Sequence, residues 1–176
     1  MLSLKIEDTE LFNESTMELI TVKGRIIALE HSLVSISKWE AKWHIPFLSS
    51  EEKTNEMIID YIKFMTISQN VDPNLYLCLN NEHFKQINDY IENPMTATWF
   101  NEADSKKNRD VITSEIIYYW MISFNIPVEF QKWHLKRLLT LIRVCSIKSQ
   151  PPKKMNKAEW ARKQKSLNAA RKHRKH

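Results

Sequence analysis

Val111-Ile-Thr-Ser-Glu-Ile-Ile-Tyr-Tyr-Trp-Met-Ile-Ser123 is the stretch that decides the fold class of this chain. Ile112, Ile116, Ile117, Tyr118, Tyr119, Trp120, Met121 and Ile122 put apolar side chains almost all round a helix, the composition of an element buried on most sides. The stretch predicts the central helix of the protein, with Thr113 or Ser114 as its cap. Asn125-Ile126-Pro127 ends it, because proline has no amide to donate and disfavours a helical residue before it. Beyond the break, Phe130, Trp133, Leu135, Leu138, Leu139, Leu141, Ile142 and Cys145 make a wide apolar stripe. Their spacing predicts a long helix over 129–147, with Lys132, Lys136, Arg137 and Arg143 on its other face.

Upstream, residues 101–110 are polar and charged and predict an exposed loop. Phe84, Ile87, Tyr90 and Ile91 predict an amphipathic helix from Asn81 to Ile91, closed by Asn93-Pro94. Met57, Ile58, Tyr61, Ile62 and Met65 predict another. Ser49-Ser50-Glu51-Glu52 offers that helix a capping box and Asp72-Pro73 an end. From Ser32, Leu33, Ile36, Trp39, Ala41 and Trp43 mix periods before Pro46, which fits a helix of about three turns or the start of a strand. Residues 2–30 differ from everything after them. Leu2-Ser3-Leu4-Lys5-Ile6 alternates, Met17 to Val22 favours β structure, and Asn13-Glu14-Ser15 and Lys23-Gly24 supply turns, so two or three short strands are expected.

The chain has 176 residues and a single glycine, Gly24, which excludes every phosphate-binding loop or nucleophile elbow built on several glycines. Tight hairpins and strongly curved sheets also tend to need glycine. The expected class is therefore mainly α: a helical domain with a short N-terminal β element and a basic C-terminal helical extension. Hydrophobic residues at 43% and charged residues at 27% fit one folded body. No apolar run is long enough to cross a bilayer and the first residues lack a signal-peptide layout, so a soluble cytoplasmic protein without membrane contact is expected. Cys78 and Cys145, each among apolar neighbours, read as two buried thiols rather than a disulfide framework.

Charge is unevenly placed. The chain carries +5 in all, but residues 151–176 hold ten lysines or arginines against one acid, Glu159, a net of +9, which leaves the first 150 residues at −4. Pro151-Pro152 stands at the junction and predicts a boundary between a core domain, 1–150, and a separate basic extension, 151–176. Asn156-Lys157-Ala158-Glu159 repeats the capping pattern and opens a conditional helix with few core-type residues.

Catalytic and metal-binding patterns are absent from the sequence. His31, His44, His83, His134, His173 and His176 are scattered, with no paired-histidine helix motif and no Cys-x-x-Cys, so no metal and no cofactor are expected. The adjacent carboxylates Glu7-Asp8 and Glu51-Glu52 point in different directions on any regular element and read as solvated surface, so no catalytic residue is assigned. Trp39, Trp43, Trp99, Trp120 and Trp133 fit core packing first and a partner interface second. Trp160 stands in the extension, where no core is evident, and reads as a docking side chain. With it, Lys153, Lys154, Lys157, Arg162, Lys163, Lys165, Arg171, Lys172, Arg174 and Lys175 form the candidate partner-binding set. Such a cluster can grip phosphates by releasing counterions, meet an acidic protein surface, or act only as a solubilising tail.

Ser32-Leu-Val-Ser-Ile-Ser-Lys-Trp-Glu40, Met95-Thr-Ala-Thr-Trp-Phe100, Ser114-Glu-Ile-Ile-Tyr-Tyr-Trp-Met121, Gln131-Lys-Trp-His-Leu135 and Leu138-Leu-Thr-Leu-Ile-Arg-Val-Cys145 resemble a family of small proteins of tailed bacteriophages and prophages. Pro151-Pro-Lys-Lys-Met155 and Leu167-Asn-Ala-Ala-Arg171 belong to the same pattern, so the resemblance runs over nearly the whole chain. Members are described either as phage proteins without an assigned role or as tail assembly chaperones. The resemblance implies a non-enzymatic helper in the host cytoplasm that binds the tape measure protein, or other tail proteins, before the tail tube polymerises. The alternative is a structural or connector protein of the virion that contacts other virion proteins or packaged DNA through its basic C-terminus.

Overall fold

Alternation of apolar and polar residues through the first 29 positions produces four antiparallel strands in a computed structural model that describes residues 1–13, 17–100, 111–151, 160–162 and 164–166. They are β1 (Leu2–Ile6), β2 (Thr9–Asn13), β3 (Glu18–Val22) and β4 (Arg25–Leu29), with β1 paired to β4 and β2 to β3. The register runs through the interruption without a slip: Ile6 faces Arg25 on one side of it and Thr9 faces Val22 on the other. The four strands are thus one long two-stranded ribbon with a pinch at residues 7–8 and 23–24. Gly24 makes the pinch possible. A methyl group there would stand 2.3 Å from the Ile6 carbonyl oxygen and 2.4 Å from the Glu7 carbonyl carbon. The ribbon buries Leu4, Ile6, Val22, Ile27 and Leu29 and leaves Phe12 and Leu19, a cross-strand pair, exposed.

Among the described residues up to Ser149, five α-helices follow: α1 (Leu33–Trp43), α2 (Asn55–Met65), α3 (Asn81–Glu92), α4 (Ser114–Ser123) and α5 (Leu135–Ser149). Short 3₁₀ segments at Pro73–Cys78 and Val128–Lys132 connect them. The architecture is a helix-dominated mix of α and β. Residues 1–145 form one compact unit and residues 146–176 another. Ser32 caps α1 by accepting the Ser35 amide, and His44 closes it in the left-handed conformation, φ 55°. In a chain with one glycine, Asn70 and Asn125 take two further left-handed positions, because their short polar side chains tolerate that backbone better than most.

The central element is α1, not the helix expected from 111–123. Leu33, Ile36 and Trp39 are fully buried, and α1 packs against both α2 and α4. Helix α4 sends Ile117 and Met121 into the core, while Tyr119 and Ile122 are 66% and 76% exposed. An apolar circumference does not by itself bury a helix. Burial needs neighbours on every side, and α4 has them on one.

Three boundaries also differ from expectation. Helix α2 starts at Asn55, with Thr54 accepting the Met57 amide, because Ser49 is already folded into a turn in which its amide donates to the Pro46 carbonyl. The same helix stops at Met65, well before Asp72-Pro73. There the chain turns to run beside β4, with the Glu30 amide donating to the Met65 carbonyl and the Ile67 amide to the Ala28 carbonyl. The long helix expected over 129–147 is broken at Trp133 and His134, since the Leu135 amide donates to the His31 carbonyl and His134 bridges to Ser32. The ribbon has four strands rather than two or three, and both cysteines are half-buried free thiols rather than buried ones. The loop expected at 101–110 and the turn at 14–15 lie outside the described residues.

Candidate functional site

Helices α2 and α3 each carry an apolar stripe whose inner edge enters the core and whose outer edge does not. On α2, Ile62 is buried while Ile58 and Ile59 remain open to solvent to different degrees. On α3, Ile87 is buried while Phe84 and Ile91 are half-buried. Helix α2 rests on α1 and α3 on β1, and between them lies an open groove of about 660 Å³ walled mainly by apolar side chains. Phe47 and Tyr61 form part of its lining, and Asn55, Asn81 and Asn88 supply amides. Among the described residues Lys53 is the one charged side chain that lines it. The Lys53 ammonium lies 5.1 Å from the ring centre of Phe47 and 5.8 Å from that of Trp39, and among the described residues no carboxylate pairs with it.

Tyr61 joins the groove to a buried polar cluster beneath. Its hydroxyl shares a 2.5 Å hydrogen bond with His31 Nδ1, and its ring packs on Phe47 at 4.2 Å. The His31 ring meets the His134 ring at 5.1 Å. His134 Nε2 donates to the Tyr90 carbonyl at 3.0 Å, which leaves Nδ1 of the neutral ring as a buried acceptor without a partner among the described residues. Tyr90 in turn donates to Glu30 at 2.5 Å, and the N-terminal ammonium sits 3.0 Å from the other Glu30 oxygen. Burial, reinforced by His134 and Lys136, drives the His31 pKa down to about 3. Burial also lowers His134, against the opposing pull of the Tyr90 carbonyl. Tyr61 is raised by burial, and Tyr90 by burial and its bond to Glu30. Both imidazoles are therefore neutral at pH 7. The four rings of the cluster are buried, so it stiffens the junction of β4, α1, α2, α3 and α5, while its Glu30 end, with the N-terminal ammonium, reaches solvent.

A second anchor ties α1 to α2. Burial pushes the Asp60 carboxyl up, but hydrogen bonds from Lys42 and Lys63 outweigh it and hold it below the usual carboxylate range. Among the described residues no group of three His, Cys, Asp or Glu side chains is placed to hold a metal ion, and no helix is long and apolar enough to cross a membrane.

The tryptophans divide. Trp39 is fully buried, its indole donating to the Met57 carbonyl at 2.9 Å. Trp43, Trp120 and Trp133 are half-buried, and Trp133 stacks on Phe130 with Arg137 over its ring. Trp99 is 81% exposed, which core packing does not explain. In the C-terminal unit, Trp160, Arg162 and Lys165 are helical and exposed, Trp160 at 58%. Lys153, Lys154, Lys157, Lys163, Arg171, Lys172, Arg174 and Lys175 lie outside the described residues.

Sequence reasoning did not find the groove or the His31–His134 pair. The stripes of α2 and α3 were legible, but nothing in a stripe says that its outer edge stays uncovered. The two histidines are far apart in the chain and carry no shared spacing. No protein-family model, no curated protein and no solved structure matches this chain.

Proposed function

We propose that the protein is a non-enzymatic assembly helper that holds an apolar helical segment of another protein. In keeping with its resemblance to phage tail proteins, that partner is the tape measure protein or another tail component, held in the host cytoplasm before the tail tube forms. The observation that carries this reading is the open apolar groove between α2 and α3. Two apolar stripes with an open trough between them can serve as the receptor half of helix-in-groove recognition. The reading is further supported by the basic C-terminal segment, where exposed Trp160 stands with Arg162 and Lys165 and can add electrostatic steering and a second point of attachment.

That same trio supports a second reading, a virion protein that reaches packaged DNA, since an aromatic ring among cations can stack on bases while the cations meet phosphates. Co-purification from infected cells separates the two. The helper reading expects the full chain to retain the tape measure protein, Ile58→Glu to lose it while staying folded, and purified particles to lack the protein. Equal recovery by wild type and Ile58→Glu overturns it, and abundance in purified particles favours the virion reading.

A further inference from the structure

The groove has a chemical polarity that a purely apolar trough lacks. Its walls are Ile58 and Ile62 on one side and Phe84 and Ile91 on the other, and its one charge among the described residues is Lys53, at the approach to α2. That ammonium is held over Phe47 and Trp39. Two other lysines of α1 and α2, Lys42 and Lys63, are paired with Asp60. Among the described residues Lys53 forms no ion pair, even though Glu51 and Glu52 immediately precede it in the chain. A cation left unpaired beside desolvating aromatic rings favours an incoming carboxylate more than a fully hydrated lysine would.

From these features we infer that the groove selects an amphipathic helix whose apolar stripe is flanked by a carboxylate, which pairs with Lys53 as the stripe fills the trough. This inference rests on the groove being the partner-binding surface. Helix α3 contributes from Asn81 to Ile91 along the trough, a length of about 15 Å at the helical rise of about 1.5 Å per residue, so the complementary segment is roughly three turns long. The same charge logic rejects a basic helix, whose lysines would meet Lys53 as like charge across a poorly hydrated contact.

The test uses the full-length protein and two synthetic amphipathic peptides of roughly fourteen residues. They share one leucine stripe and differ only in having Glu or Lys beside it, and binding is followed by titration calorimetry at low and high salt. The expected result is that the Glu peptide binds roughly tenfold or more tightly than the Lys peptide at low salt. Lys53→Glu should cancel or invert the preference, and Ile58→Glu should weaken both peptides. The basic C-terminal segment is the same in every variant, so a Glu preference that survives Lys53→Glu belongs to that segment and overturns the inference. If both peptides bind alike, lose affinity with Ile58→Glu and ignore Lys53→Glu, the inference fails while the groove remains the binding surface. If neither peptide binds, or Ile58→Glu changes nothing, the reading of the groove fails with it.

Discussion

The Glu40 carboxylate of α1 accepts the backbone amide of Ser114 at 2.8 Å and so opens α4 from 74 positions away in the chain. Thr113, the cap residue by position, makes no side-chain capping bond to a backbone amide of that helix. The other Glu40 oxygen accepts the Phe47 amide at 2.8 Å. One buried side chain therefore satisfies two amides and fixes both the turn after α1, which carries Phe47 to the groove, and the start of α4.

Removing that carboxylate leaves two backbone donors short of partners in a place water does not freely reach. Glu40→Ala should cost about 2 to 4 kcal/mol in urea unfolding, and Glu40→Gln, which keeps one acceptor, about half as much. A loss under about 0.5 kcal/mol for Glu40→Ala would show that the two amides find other partners.

Gly24 is required by proximity. Because a Cβ would fall 2.3 Å from the Ile6 carbonyl oxygen, Gly24→Ala must push apart the two sides of the ribbon at the pinch. Destabilisation of about 1 to 3 kcal/mol is expected, accompanied by faster amide exchange at Ile6 and Arg25, which pair there. Stability equal to wild type would mean the ribbon bends there without cost.

Acid should weaken the fold through His31. The folded ring titrates near pH 3, while in the unfolded chain it titrates near 6.5, so between those values the unfolded state takes up a proton that the folded state does not. His31 thus contributes stability that is fully present above 6.5 and is lost as pH falls toward 3, at about 1.4 kcal/mol per pH unit well inside that window. His134, also lowered, acts in the same direction. Chemical denaturation between pH 7 and pH 5 should show this slope in wild type and a shallower one in His31→Asn. An unchanged slope would remove His31 as its source.

Helix α4 should be tolerant on one side only. Ile117 is fully buried and Ile122 is 76% exposed, so Ile117→Ala should cost about 2 to 5 kcal/mol and Ile122→Ser should stay within about 0.5 kcal/mol. Comparable losses at both positions would mean that something covers the outer face of this helix in solution.

How far each element could be read depended on how local its determinants are. The mixed periods after Ser32 left α1 open between a helix and a strand, a choice settled by the Ser32 cap. Asn80, by contrast, caps α3 with its own side chain and Asn93-Pro94 closes it, so that helix was legible nearly to the residue. The alternation of β1 was legible for the same reason. The end of α2 and the start of α5 were not, because distant backbone competes for their amides and carbonyls: β4 takes Met65 and Ile67, and His31 takes Leu135. The candidate site divides in the same way. The basic tail and Trp160 were plain in the sequence, whereas Lys53 gains its meaning only from Phe47 and Trp39 beside it.

By itself the sequence determined the helix-rich class, the alternating ribbon at its start, the absence of glycine-rich phosphate loops and the segregation of positive charge into the last residues, since each follows from composition or from periods of two and of three to four residues. Only the tertiary structure decided that α1 and not α4 lies at the centre, that Glu40 caps a distant helix, that His31 and His134 meet, and that α2 and α3 leave a groove open between them. Those outcomes depend on which face finds a neighbour, and a periodic stripe of side chains specifies a face without specifying what will cover it.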